Sequence, residues 1–312
     1  MNLLVGTLSM GLILALATLG VYISLRVLHT LDLTVEGSFG LGAALAAALL
    51  VRGSSPLAAT AAAAAAGVLA GVTSGLMNTR GRIDPLLAGI LTSTALYSVM
   101  LFLMGGGDLS IAARETLFSG AERAWRALGG GAVTLFDTTV SAGSVASLAF
   151  LALLVPLAAL ARGWFFRTRL GLAARAAGDS PSMAGAQGVS VGAMLVLGLA
   201  LANGLVGLSG ALFAQYQGFA SVQMGIGTFV SALACLILGE ALFGRRRVGR
   251  QLTAALVGTL LFRLLVSAAL QAGLDPNSLK LATALFVLAV LVLQGGVKQL
   301  LATALGGRAR GA

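Results

Sequence analysis

Hydrophobic residues run through this chain in long stretches broken by brief polar punctuation. Such runs occupy 3–27, 37–51, 57–77, 85–104, 144–161, 189–214, 228–243, 251–271 and 281–303, and each approaches the ~20 apolar residues that carry an α-helix across a hydrocarbon core of about 30 Å. The pattern predicts an all-α, polytopic membrane helical bundle of about nine transmembrane helices. The period-two alternation of a membrane β-barrel is absent. Punctuation agrees with these bounds: Ser55-Pro56 and Asp84-Pro85 each offer a capping side chain followed by proline at the first helical position, where its missing N–H is not needed. Pro156 falls inside a span and predicts a kink there. Gly67, Gly71 and Gly75 form overlapping G-x-x-x-G motifs, which predict a tightly packed third span.

Three stretches are not plain spans. In the loop 105–143, Ile111, Leu117, Phe118, Ala121, Trp125 and Leu128 have the spacing of a helix lying along a membrane surface, with docking of an external partner as a second use. The stretch 167–191 reads as two short helices separated by Gly178-Asp179-Ser180-Pro181, with Ser180 or Asp179 capping the second. The third is "LDLTVEGSFG", residues 31–40, which sets Asp32 and Glu36 in front of a short helix rich in small residues. Its Gly37-Ser38-Phe39 has a counterpart in Gly227-Thr228-Phe229. Glycine-interrupted segments at matching places in two halves point to discontinuous helices and an inverted repeat, with helix N-termini facing a substrate or cavity. Asp32 and Glu36 then serve to cap exposed N–H groups, remain ordinary loop charges near Arg26, or contact substrate or ion.

Composition sharpens the class. Of 312 residues, 58% are hydrophobic and 10% charged, with a mean hydropathy of +0.99, so the chain is a membrane protein in contact with lipid. The net charge of +10 does not signal nucleic acid, because the basic residues sort by loop. Arg26, Arg80, Arg82, Arg162, Arg167, Arg169, Arg175, Arg245, Arg246, Arg247, Arg250, Lys298, Arg308 and Arg310 fall on one side, against Arg52, Arg114, Arg123, Arg126 and Lys280 on the other. The positive-inside bias places the N-terminus outside and the C-terminus in the cytoplasm. The N-terminal run lacks a basic flank and a cleavage site, and reads as a retained first span. The whole chain reads as one transmembrane domain, with halves 1–161 and 189–303 joined by the segment 162–188.

Much chemistry has no material here. Lys280 and Lys298 are the only lysines and neither sits in a phosphate-binding loop, so the chain carries no ATPase motif of its own. The single histidine, His29, and single cysteine, Cys235, leave nothing for a zinc site, a Ser-His-Asp triad or a disulfide. No cofactor, metal or catalytic residue is expected. Arg263 lies midway through the eighth span, a costly place for a cation, where it snorkels, pairs with Glu240 or a helix C-terminus, or serves function. Glu240 reads as a boundary residue beside Arg245–Arg247, and Asn203 as an interhelical hydrogen-bonding residue.

The segments "LDLTVEGSFGLGAALAA", "RGRIDPLLAGILTSTALYSVML", "FRTRLGLAARAAGDSPSMAGAQGVSV" and "LANGLVGLSGALFAQYQG…MGIGTFVSALACLILGEAL" resemble, in that order, permease subunits of bacterial ABC importers of the branched-chain amino acid and ribose type. The closer likeness is to the subgroup paired with tryptophan- or tyrosine-binding lipoproteins. One departure is Gly239-Glu240, where many relatives carry Gly-Gly. The resemblance implies a bacterial inner-membrane protein, a second permease copy, two cytoplasmic ATPase subunits that bind ATP and Mg, and an external substrate-binding lipoprotein. It further implies that Arg169, Gly171, Arg175, Gly178, Asp179 and Gly188 belong to an ATPase-coupling segment and that residues 32–39 lie near the pathway. The expected function is a permease subunit passing a small solute, an amino acid and first of all an aromatic one. The competing reading is a stand-alone ion-coupled transporter using Asp32, Glu36 or Arg263.

Overall fold

In a computed structural model, residues 2–131, 133–135, 138–244, 248–273, 275, 281, 283–285 and 288 are described. The chain opens with α1 (Asn2–Tyr22), which continues through a π-helical turn, Ile23–Val27. After a link at 28–33 come α2 (Thr34–Val51), α3 (Pro56–Thr79) and α4 (Pro85–Met104). The following loop carries β1 (Leu109–Ser110), α5 (Leu117–Ala127) and a hairpin of β2 (Val133–Leu135) and β3 (Thr138–Val140). Then come α6 (Ala142–Phe165), α7 (Arg169–Asp179), α8 (Pro181–Ala186) and α9 (Val191–Gln217). The chain proceeds through β4 (Phe219–Ala220), a 3-10 turn at Val222–Gly225, α10 (Thr228–Phe243) and α11 (Val248–Gln271).

Among the described residues, 8 helices are long and apolar enough to cross a membrane, and they match the first eight runs of the sequence. The ninth, 281–303, falls largely outside the described residues. The helix starts follow the predicted chemistry: Ser55 accepts from the Ala58 N–H ahead of Pro56, and Asp84 from the Leu86 N–H ahead of Pro85. Pro156 lies within α6, which runs on through it.

Two corrections concern helix bounds. The helix holding the first Gly-hydroxyl-Phe triplet begins at Thr34, so Gly37 and Ser38 are helical and the break lies upstream, at 28–33. Tertiary contacts override the weak helix propensity of glycine and serine there. Likewise Gly178 and Asp179 belong to α7, and only Ser180 separates it from α8, with no side chain capping the second helix. Pro181 at its first position removes one of the N–H groups a cap would serve.

The bundle is assembled by close backbone approach. α9 packs on α2 and α3, while α1 packs on α10 and α11 as well as on α9. A methyl added at Gly67 or Gly71 would run into the Asn203 or Leu199 carbonyl of α9, and one at Gly42 into the Gly207 carbonyl. At Gly75 it would lie 2.9 Å from Val196 Cα. The predicted glycine stripe is therefore the α3–α9 seam. Apolar burial gives little gain between helices in lipid, so such van der Waals fit and a few interhelical hydrogen bonds hold the helices together. Examples are Ser209 Oγ donating to the Ile13 carbonyl at 2.7 Å and Thr259 Oγ1 donating to Thr18 Oγ1 at 3.0 Å.

Two faces can be told apart. On one lie the end of α1 and the end of α10, joined by Arg26 and Glu240, together with α7 and α8. On the other, β1 pairs with β4. There the Leu117 N–H donates to Gln215 Oε1 at 3.0 Å, and Gln215 Nε2 donates to Thr60 at 2.7 Å, docking the start of α5 on the end of α9 and the start of α3. The expected surface helix is thus α5; its buried Phe118 meets Phe150 and Tyr216 edge-on.

Candidate functional site

The predicted pathway residues gather where α2 and α10 begin. The Glu36 carboxylate of α2 accepts from the Gly227 N–H at the start of α10, at 3.0 Å. The two helices therefore meet N-terminus to N-terminus and depart toward opposite faces, α10 to the Arg26–Glu240 face and α2 to the face of α3's start. Partial positive charge at both ends converges on this one carboxylate. The close fit depends on Gly225, where a methyl would meet the Glu36 carbonyl. Gly227 itself holds φ at +83°, a left-handed conformation that suits glycine, and immediately precedes the first residue of α10.

Asp32 is buried in the link before α2, and both its carboxylate oxygens are engaged. Its Oδ1 accepts from the Thr34 N–H at 2.9 Å, and its Oδ2 from Asn203 Nδ2 at 2.6 Å. Asn203 in turn accepts from Ser38 Oγ at 2.7 Å. The link and the first turns of α2 are thus tied to the middle of α9 by a chain of three side chains, all buried. Asp32 thus accepts from the first N–H of its own helix and Glu36 from the N–H that precedes the other, the bonds a capping role requires.

Phe39 and Phe213 pair as tilted rings 5.5 Å apart, and Phe229 packs in the same apolar cluster with Val35 and Val206. Two cavities flank Ile226. One of about 240 Å³ is lined by Glu36, Gly37, Ser93, Tyr97, Met100 and Gly225 among others. The second, about 480 Å³, lies among α1, α10 and α11 and is lined by Thr18, Phe39, Phe213, Gly227, Thr228, Ser231 and Arg263 among others. Thr228 is buried and donates to the Met224 carbonyl at 3.3 Å.

Arg263 does not pair with Glu240. That carboxylate is taken bidentately by Arg26, with Nε–Oε1 at 2.6 Å and Nη2–Oε2 at 2.7 Å, and is buried rather than a simple boundary charge. Hydropathy could not reveal this pair, because its members are far apart in sequence and meet only because both spans end on one face. Arg162, a loop charge by its place in the sequence, is buried at the end of α6. Its guanidinium stands 4.4 Å from the centre of the Tyr22 ring and has no hydrogen-bond partner among the described residues.

The expected coupling residues lie together on the Arg26–Glu240 face. Gly178 lets α7 rest on the end of α1, since a methyl there would strike the Val27 carbonyl, and Gly171 fits against the Phe165 carbonyl at the end of α6. Gly188 closes the segment at φ +81°. Arg169 and Asp179 are exposed, Arg175 is partly buried, and Leu170, Leu172 and Met183 stand exposed beside them. No group of three or more His, Cys, Asp or Glu side chains that could hold a metal occurs among the described residues.

Residues 3–293 match the family described as the permease component of branched-chain amino acid transport systems. The tyrosine transport system permease protein of Clostridioides difficile (strain R20291) is 33% identical over 288 residues, covering 92% of this chain and 90% of that protein. The uncharacterized protein RP368 of Rickettsia prowazekii (strain Madrid E) is 31% identical over 285 residues, covering 90% of this chain and 94% of that one. No solved structure matches the chain. With eight long apolar helices among the described residues and a family match along nearly its whole length, the chain is a multi-pass membrane protein that belongs to the branched-chain amino acid transport permease family.

Proposed function

We propose that this chain is the membrane-spanning subunit of an ATP-driven importer, passing a small solute, an amino acid and first of all an aromatic one. ATP is bound by separate ATPase subunits seated on the α7–α8 face, which lies in the cytoplasm, and the opposite face receives a substrate-binding lipoprotein. A second copy of the chain completes the pathway. The tyrosine transport relative supports the substrate class. The exposed Leu170, Leu172 and Met183 among charged neighbours form a patch suited to a partner protein.

One observation carries the mechanical reading: α7 sits directly on the Val27 carbonyl through Gly178. Val27 ends the π-helical turn, and the link after it leads within a few residues to Asp32, Asn203 and Ser38, and then to Glu36 and Gly227. Movement of α7 by an ATPase would therefore reach the meeting point of α2 and α10, the place where two packings of the halves exchange access between faces.

The test is reconstitution with the partner ATPase and binding protein. Gly178→Trp is expected to lift α7 off the Val27 carbonyl while the spanning helices stay folded, so that ATP hydrolysis runs and uptake is lost. Unchanged coupling would overturn the assignment of α7. Uphill uptake by the chain alone on a sodium or proton gradient would overturn the whole reading in favour of an ion-coupled transporter.

A further inference from the structure

The 480 Å³ cavity among α1, α10 and α11 combines three features that nothing in the family match assigns. Its wall includes Arg263, whose Nε is buried and makes no hydrogen bond among the described residues. A cation in a membrane-spanning helix without a carboxylate partner is costly, and such residues mark solute or ion paths. The same wall includes Gly227 and Thr228 at the start of α10, where Glu36 takes the Gly227 N–H from the far side and no side chain of the helix itself caps the turn that follows. N-terminal N–H groups and the helix dipole favour an anion. Apart from the hydroxyls of Thr18, Ser231 and Thr283 the rest is apolar, with the Phe39–Phe213 pair on one side, and no Asp or Glu lines the cavity among the described residues. Glu36, the nearby carboxylate, lines the other cavity.

We infer that this cavity is a carboxylate-binding site for an amphipathic solute: Arg263 and the start of α10 hold the carboxylate, and the apolar body lies against Phe39 and Phe213. The inference rests on the proposed transport function and deepens it by placing the solute. It also adds a specificity that the amino acid reading does not contain. Thr18, Thr228 and Ser231 offer hydroxyls, but no acidic side chain among the described residues lines the wall to pair with an ammonium group. The site therefore selects for the carboxylate and is indifferent to the α-amino group, so that discrimination of amino acids from their deaminated analogues falls to another component.

The purified chain in lipid nanodiscs is titrated with L-phenylalanine, 3-phenylpropionate and phenethylamine, and thermal unfolding is followed by tryptophan fluorescence. Phenylalanine and 3-phenylpropionate are expected to raise the unfolding temperature to a similar degree, with phenethylamine inert. Arg263→Gln raises the apparent dissociation constant for both carboxylates about tenfold or more, as loss of a charge-assisted bond predicts, while Arg263→Lys retains the preference for carboxylates in weakened form. Equal stabilisation by phenethylamine, unchanged binding by Arg263→Gln, or no response of the wild-type chain to either carboxylate would overturn the inference. No ATPase enters this measurement, so a permease that binds carboxylates yet fails ATP-driven uptake would sink the transport reading alone.

Discussion

The two Gly-hydroxyl-Phe triplets look alike in sequence and are built differently. Gly37-Ser38-Phe39 lies inside a continuous helix: Ser38 bonds Asn203, and a methyl at Gly37 would sit 2.8 Å from Ser93 Cα of α4. Gly227-Thr228-Phe229 stands at a true break, where Gly227 is left-handed and a methyl would meet nothing within 4 Å. At the first, glycine is required for space; at the second, for backbone conformation. The first junction is braced by a buried polar chain to α9, whereas the start of α10 receives its side-chain hydrogen bond from the other half, through Glu36. A shared motif thus yields one anchored helix start and one that depends on its counterpart.

Breaking the brace should have the largest effect. Asp32→Ala leaves the Asn203 amide and the Thr34 N–H without their buried acceptor, and a loss of about 3 kcal/mol or more in stability is expected. A melting temperature within a degree or so of wild type would contradict the buried network. Glu36→Ala should cost about 2 kcal/mol, the value of a bond to a charged acceptor, with Glu36→Gln recovering most of it because an oxygen still faces Gly227. Equal losses for the two variants in thermal unfolding would argue against that bond.

The glycines sharpen the contrast further. Gly37→Ala presses on α4 and should lower stability by about 1–3 kcal/mol through overpacking. Gly227→Ala meets open space and carries only the left-handed backbone cost, about 1–2 kcal/mol. Gly227→Asn should recover part of that cost, since asparagine tolerates this conformation, whereas Gly37→Asn should be worse than Gly37→Ala. Matching responses at the two glycines in thermal unfolding would erase the distinction between space and conformation.

The parts of this architecture that are legible in sequence are those determined locally. Ser55 and Asp84 mark helix starts because a cap and a proline act within one turn, and Gly67, Gly71 and Gly75 mark a seam because their spacing alone sets one small face. What stays hidden depends on residues brought together from afar. Arg26 and Glu240 meet only because two spans end on the same face. The β1–β4 pair consists of strands too short to show a period. The start of α2 is illegible because Gly-Ser reads as a break, whereas the close approach of Gly37 to α4 and the bond of Ser38 to Asn203 favour the helix from a distance the sequence does not show. The candidate site is half legible: the triplets point to where α2 and α10 begin, but not to Glu36 crossing between the halves or to Arg263 facing the same cavity as Phe39.

Arg162 offers a last consequence. A guanidinium lying over the Tyr22 ring is attracted by a broad cloud of charge, not by fixed lone pairs, so its energy changes gently with rotation. The neighbouring Arg26–Glu240 fork is directional and resists twisting. The sixth helix is consequently fastened to the first by a swivel, and the tenth by a latch.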